Sequence, residues 1–155
     1  KVQELARYRS EFFGRLRQVL GNRREIRVVG DRFVFQSEVL FGSGSAEMGE
    51  NGKGQLTQLA QTLKSISAKI PKDLDWVLRV DGHTDRVPIK TAAFPSNWEL
   101  STARAISVVK FLISQGIPAR NLAAAGFGEF RPLDARTDEI AYRRNRRIEL
   151  KLDQR

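Results

Sequence analysis

Residues 75–88 read DWVLRVDGHTDRVP and join a predicted strand to a long irregular segment. Residues 75–80 contain Trp76, Val77, Leu78 and Val80, which suit a buried strand. Directly after it, residues 82–97 form a long irregular segment that contains Pro88 and Pro95. An irregular segment of this length in a compact domain is usually functional, and strand ends commonly carry binding groups. We therefore expect a ligand site where this strand ends.

Apolar periodicity divides the rest of the chain into helices and strands. Helices are predicted at residues 2–20, with Gly21-Asn22 as the stop; at 55–70, ended by Pro71; at 100–115, with Ser101 as an early cap and Gly116 as the stop; and at 138–145. Strands are predicted at residues 25–29 and 32–36, a hairpin around Gly30-Asp31, at 121–126 and at 147–152. The glycine-rich residues 41–45 are predicted to form a loop.

The order of these elements predicts the fold class. Helix, hairpin, helix, strand, helix, strand, helix and strand alternate, which indicates an α+β fold with helices packed on one mixed sheet. We divide the chain into an N-terminal helix, residues 1–20, and one domain, residues 21–155. The helix suits either the end of a coiled-coil stalk or packing on the domain, and it is compatible with a homodimer. Because the chain starts in mid-helix without Met, we expect a longer protein with its targeting or transmembrane segment upstream.

Composition restricts the chemistry that the chain can perform. There is no cysteine and a single histidine, His83, which excludes thiol catalysis and any site built from several histidines. We therefore predict no cofactor and no metal. The net charge of +9 favours a polyanionic partner, which includes nucleic acid, anionic lipid and an acidic cell-wall polymer.

Two groups of polar residues flank the irregular segment. At its start, Thr84 and Asp85 offer a hydroxyl and a carboxylate, and the carboxylate suits an ammonium group. At its end, Asn97 precedes a helix that carries Arg104, whose guanidinium can hold a carboxylate with two parallel hydrogen bonds. Each group alone is more often a solvated turn or a surface arginine. Together they suit a ligand that carries both an ammonium and a carboxylate, as an amino acid does.

Five linked motifs resemble the OmpA-like domain, over roughly residues 33–152. They are Gly82-His83-Thr84-Asp85; Asn97 with Leu100-Ser101-x-x-Arg104-Ala105; Gly116-Ile117; Gly126-Phe127-Gly128-Glu129-x-x-Pro132; and Asn145-Arg146-Arg147-Ile148-Glu149. The order and spacing are those of the family, with an OmpA-like two-layer sandwich as the implied fold. The segments at residues 87–89 and 94–100 look most like the flagellar stator protein MotB and its relatives. The chain departs from the family at residues 141–144, where Ala-Tyr-Arg-Arg replaces a frequent Gly-Arg.

The resemblance implies a function and a set of site residues. Members bind peptidoglycan through the meso-diaminopimelate of its stem peptide, and so anchor a membrane or envelope protein to the cell wall in the periplasm of a diderm bacterium. By position, Asp85 would hold the ammonium and Arg104 the carboxylate, supported by Asn97 and Thr84. The remaining wall would come from backbone at Phe41 and Gly42 and from the side chain of Arg146.

Two other functions compete with an anchor. A peptidoglycan hydrolase or amidase needs paired carboxylates, an activated nucleophile or a metal, and the sequence shows none of these sets in a recognisable context. Nucleic-acid binding is suggested by the basic run at residues 143–147, which we interpret instead as pocket wall and solvated surface. We interpret Trp76 and Trp98 as core and loop anchors rather than as sugar-stacking platforms. The favoured interpretation is a binding module, not an enzyme, with no nucleic-acid partner.

Overall fold

The computed structural model describes residues 2–21 and 23–155, without the side chains of residues 2 and 3. Asn22 of the predicted helix stop therefore lies outside the described residues. The described residues form five helices: α1 Val2–Leu20, α2 Ser37–Leu40, α3 Glu50–Ser67, α4 Asn97–Ser114 and α5 Glu139–Asn145. The same residues form five strands: β1 Ile26–Val29, β2 Arg32–Gln36, β3 Trp76–His83, β4 Leu122–Gly126 and β5 Arg147–Gln154, with a 3₁₀ turn at Ala119–Asn121.

The strands form one mixed sheet in the order β1-β2-β5-β3-β4. Only β3 and β4 run parallel, and the other neighbours are antiparallel. The predicted hairpin joins β1 and β2 through Gly30, whose φ of 62° is a conformation that glycine adopts without strain. The predicted α+β fold, with helices on a mixed sheet, is confirmed.

The helices cover one face of the sheet, and the core lies between them. Helix α1 contacts β5, α4 contacts β3 and β4, and α3 packs against both α1 and α4. Every second residue of β3, namely Trp76, Leu78 and Val80, is buried in this core. The apolar face of α1 joins the same cluster through Leu5 and Phe12, so it is packed on the domain rather than left free for a partner helix.

Three local predictions need correction. Helix α4 begins at Asn97, capped by Ser96, whose hydroxyl accepts from the Trp98 N–H. Ser101 is therefore not a cap. Helix α3 begins at Glu50 rather than at residue 55, and passes through Gly52, where a Cβ would lie 2.8 Å from the Leu40 Cα. That glycine permits close packing on α2, a four-residue helix that the sequence analysis did not predict.

Helix α4 also lies unusually close to the parallel strands. A Cβ on Gly82 of β3 would lie 2.1 Å from the Ser101 carbonyl oxygen. A Cβ on Gly126 of β4 would lie 2.0 Å from the Thr102 hydroxyl and 2.6 Å from its backbone nitrogen. Only glycine fits at these two positions, so they set how closely the helix approaches the ends of the two strands.

The opposite face of the sheet carries buried charges in place of a second apolar layer. Asp81 accepts from Arg79 and Arg32, and Glu149 accepts from Arg32 and Arg147. His83 lies among them, stacked on Phe127 with ring centroids 5.0 Å apart. Both of its ring nitrogens are buried without a hydrogen-bond partner. Burial, with the nearby Arg147 charge, lowers the pKa of His83 to about 4.

The close approach of α4 predicts a contrast between two Gly→Ala substitutions. Gly82→Ala should destabilise the protein by about 1–3 kcal/mol or more, because backbone must move to admit the methyl group. Gly54→Ala, in exposed α3 with open space around the new Cβ, should stabilise it by about 0.5–1 kcal/mol. Urea unfolding measures both. Equal stabilities for the two variants would contradict the role of Gly82.

The buried histidine predicts a loss of stability in mild acid. The ordinary pKa of 6.5 applies to unfolded His83, and the value of about 4 to the folded protein. As the pH falls from 6.5 to 4, the unfolded state takes up the proton first, so folding weakens progressively over this window. The contribution is on the order of 3 kcal/mol. His83→Phe, which keeps a ring against Phe127, should lose less stability between pH 7 and pH 4 than the parent, and identical pH profiles would refute this.

Candidate functional site

A cavity of about 450 Å³ opens where the carboxyl end of β3 meets the start of α4. The structure brings all the residues of the predicted site together around it: Phe41, Gly42, Thr84, Asp85, Asn97, Arg104 and Arg146. Thr84 and Asp85 follow β3 directly. Asn97 is the first residue of α4, and Arg104 lies about two turns later. The close approach of α4 to Gly82 therefore also brings Arg104 towards the end of β3.

The guanidinium of Arg104 is fixed before any ligand arrives. Its Nε donates to the Ser45 carbonyl at 2.8 Å, and Nη2 donates to the Gly42 carbonyl at 3.0 Å. The Cζ atom of the guanidinium lies 5.3 Å from the centre of the Phe41 ring. Among residues 2–21 and 23–155, no carboxylate forms an ion pair with it. Burial lowers the pKa of Arg104 from its ordinary value, and the buried cation is therefore poised to accept an anionic partner.

Asp85 lies in a different environment, beside a cation. Its Oδ2 accepts from Arg146 Nη1 at 2.7 Å, and its Oδ1 accepts from the Val87 N–H at 3.0 Å. Arg146 also donates to Glu38 and to Glu139, each at 2.8 Å. Burial opposes the charge of Arg146, but the hydrogen bonds to Glu139, Asp85 and Glu38 outweigh it, so its pKa is raised. Conversely, the hydrogen bond from Arg146 lowers the pKa of Glu139.

Asn97 and Thr84 hold the wall of the pocket in place. The Asn97 amide donates to the Val87 carbonyl at 3.1 Å and to the Glu129 carboxylate at 3.0 Å. The Thr84 hydroxyl donates to the backbone carbonyl of Asp85 at 2.8 Å. These bonds fix the backbone on both sides of Asp85. The two side chains therefore act first on the loop that presents the carboxylate.

The geometry changes the expected site in three respects. Asp85 and Arg104 are buried, with 8% and 5% exposure, whereas residues of these two types are usually exposed. Gly42, whose backbone was expected to complete the pocket wall, uses its carbonyl oxygen to accept a hydrogen bond from Arg104. Two lining carboxylates, Glu38 and Glu139, were not predicted. The sequence gives no signal for Glu38, because the short helix that carries it is set by tertiary packing.

Possible metal ligands lie outside this pocket. Ligand atoms of Asp81, His83 and Glu149 fall within 4.8 Å of one another on the far face of the sheet. Both carboxylates there are hydrogen-bonded to guanidinium groups. A divalent cation would have to displace these arginines, so the group is better described as a buried ion-pair network.

The basic run and the tryptophans divide by environment. Arg143 and Arg144 are exposed and Arg146 lines the pocket, as expected for solvated surface and pocket wall. Arg147 does not fit that expectation, because it is buried against Glu149 on the far face of the sheet. Trp76 is in the core, as predicted. Trp98 is 49% exposed and stacks on Phe130, which is 58% exposed, so it contacts the segment after β4 and leaves much of its own ring in water.

Comparison with solved structures places this geometry among known domains. A MotB like protein from Desulfovibrio vulgaris superposes with a TM-score of 0.78 at 28% identity, covering 99% of this chain and 95% of its own. The cell wall anchor of the T6SS from Pseudomonas aeruginosa gives a TM-score of 0.71 at 29% identity, covering 89% and 94% of the two chains.

Sequence relationships identify the family. The YtxE protein of Bacillus subtilis (strain 168) is 38% identical over 119 residues, which cover 76% of this chain and 46% of the relative. The chain thus spans about half the length of that relative. None of the helices in the described residues has both the length and the apolarity needed to cross a membrane. Residues 40–146 match the OmpA family. This chain belongs to the OmpA family.

Proposed function

We propose that the chain is a non-catalytic anchor that binds peptidoglycan through the meso-diaminopimelate of its stem peptide. This proposal rests mainly on the buried Arg104 guanidinium, which has no carboxylate partner among the described residues and shares its pocket with Asp85. A ligand carboxylate would form an ion pair with the Arg104 guanidinium, and an ammonium on the same ligand would form an ion pair with the Asp85 carboxylate. The D-centre of diaminopimelate supplies both groups on one carbon atom.

The charge balance of the pocket supports an ammonium at Asp85. Three carboxylates, Glu38, Asp85 and Glu139, line the cavity with two guanidinium groups, Arg104 and Arg146. One negative charge is therefore in excess. Each carboxylate oxygen of Asp85 has one hydrogen-bond donor and retains a second lone pair, so an ammonium can bind without first displacing Arg146.

The pocket chemistry supports recognition rather than hydrolysis. A general acid needs a pKa raised towards the working pH, and the pKa of Glu139 is lowered by its hydrogen bond to Arg146. All three lining carboxylates form ion pairs with this one guanidinium. The arrangement favours binding of charged groups and disfavours proton transfer.

The relatives support an anchoring role in the cell envelope. The similar Pseudomonas aeruginosa protein is a cell wall anchor, and the similar Desulfovibrio vulgaris protein is MotB like. We propose that this domain, as part of a longer membrane-anchored protein, tethers that protein to the wall from the periplasm. The likeness to MotB favours a flagellar stator component as the tethered protein.

Two charge-removing substitutions test the pair Asp85 and Arg104, which we call the clamp. Asp85→Asn keeps an acceptor for the Val87 N–H but removes the charge, and Arg104→Gln retains a donor for the loop carbonyls. Each should weaken binding of a diaminopimelate stem tetrapeptide by on the order of 2–5 kcal/mol, or thirtyfold to several thousandfold, because one ligand charge loses its partner. Calorimetric titration measures the affinity, and thermal melts of each variant check the fold.

Two controls separate the clamp from general charge attraction. Arg143→Ala, on the exposed surface of α5, removes a positive charge outside the pocket and should leave the affinity nearly unchanged at moderate salt. A stem peptide with lysine at position three keeps an ammonium but lacks the adjacent carboxylate, and should bind more weakly. If Arg143→Ala abolishes binding while Asp85→Asn and Arg104→Gln do not, the clamp is the wrong site.

A further inference from the structure

An exposed aromatic pair lies beside the candidate pocket. Trp98 and Phe130 are 49% and 58% exposed, and their ring centroids lie 5.1 Å apart at an interplanar angle of 28°. We call these two side chains the aromatic platform. Stacking on each other buries one face of each ring and leaves much of both rings in water. Core packing does not require two large rings in this position, and exposed aromatic surface commonly marks a binding site.

The aromatic platform is connected to the pocket by adjacent residues and a hydrogen bond. Trp98 follows Asn97 in α4, and Phe130 follows Glu129; the Asn97 amide donates to the Glu129 carboxylate at 3.0 Å. Glu129 and Phe130 also line a second cavity of about 230 Å³, together with Arg86, the residue after Asp85. The two cavities are therefore lined by neighbouring residues: Asp85 and Asn97 line the first, and Arg86 and Glu129 line the second.

The second cavity combines an aromatic wall with charged hydrogen-bonding groups. Its lining includes the Phe130 ring and the side chains of Arg86, Glu129 and Arg136. A pyranose ring has an apolar face of C–H bonds and an edge of hydroxyl and amide groups. The face suits an aromatic ring, and the edge suits charged donors and acceptors beside it. Glu129 already accepts from Asn97, and Arg136 already donates to Asp134, so hydroxyl and amide groups of a sugar would add to hydrogen bonds that are in place.

We propose that the aromatic platform binds the amino-sugar of the glycan strand to which the bound stem peptide is attached. This inference rests on the proposed function, because the peptide in the pocket would hold the saccharide near the platform. The stem peptide is covalently joined to the glycan, so its sugar must lie near one side of the pocket. Contact at both sites makes the second binding event intramolecular, and the saccharide then adds affinity that the peptide alone lacks.

The test compares two probes, a free diaminopimelate stem tetrapeptide and the same tetrapeptide carrying its disaccharide. The parent should bind the disaccharide-tetrapeptide more tightly than the peptide. Trp98→Ala and Phe130→Ala should each reduce that gain by roughly two- to tenfold and leave the affinity for the free peptide unchanged. Ile113→Ala, an exposed apolar residue at the far end of α4, is the matched control and should behave as the parent.

Fluorescence gives an independent measurement. Trp98 is the exposed tryptophan and Trp76 is buried, so acrylamide quenching in the parent reports mainly on Trp98. The disaccharide probe should protect it and the free peptide should not. Equal affinity of the parent for both probes would overturn the sugar-binding role of the aromatic platform and leave the proposed function standing. The same conclusion would follow if the Trp98 and Phe130 variants changed only self-association, measured by sedimentation. A parent that binds neither probe would overturn the proposed function and the platform with it.

Discussion

The close approach of helix α4 to strands β3 and β4 is the constraint on which the site depends. Gly82 and Gly126 leave no side chain between the strands and the backbone of α4, and a Cβ at either would lie within about 2 Å of an oxygen atom of Ser101 or Thr102. Since Asp85 follows β3 and Arg104 lies on α4, this contact brings opposite charges from distant parts of the chain into one pocket. Fold and recognition chemistry therefore share one packing requirement.

The two charged groups of the pocket, Arg104 and Asp85, differ in whether they already have a partner of opposite charge. Arg104 is held by backbone carbonyls and an aromatic ring, and carries a buried charge without an acidic partner in the described structure. Asp85 is one of three carboxylates around Arg146. The pocket is thus preorganised for a carboxylate at Arg104, whereas an ammonium must join an existing cluster of charges. Preorganisation of the arginine reduces the free-energy cost of ordering it on binding.

The sequence predicted the strands and long helices, because their apolar periodicity is local, and it predicted the residues around the pocket through the family resemblance. It did not predict helix α2 or the early start of α3. Gly52 is an unfavourable residue inside a helix, and its place there is explained only by its close packing against Leu40 of α2. Ser101 was expected to cap α4, but its hydroxyl instead accepts from the Gly128 N–H. Glu38 and Glu139 were missed because long-range packing brings them to Arg146.

A crystal structure of this domain with a diaminopimelate stem peptide would show whether Asp85 and Arg104 hold the ligand. We expect the ligand carboxylate within hydrogen-bond distance of the Arg104 guanidinium and the ammonium on the same carbon within hydrogen-bond distance of the Asp85 carboxylate. The Arg104 side chain should keep its bonds to the Gly42 and Ser45 carbonyls. A peptide bound instead along exposed Arg143 and Arg144, with the pocket unchanged, would contradict the account.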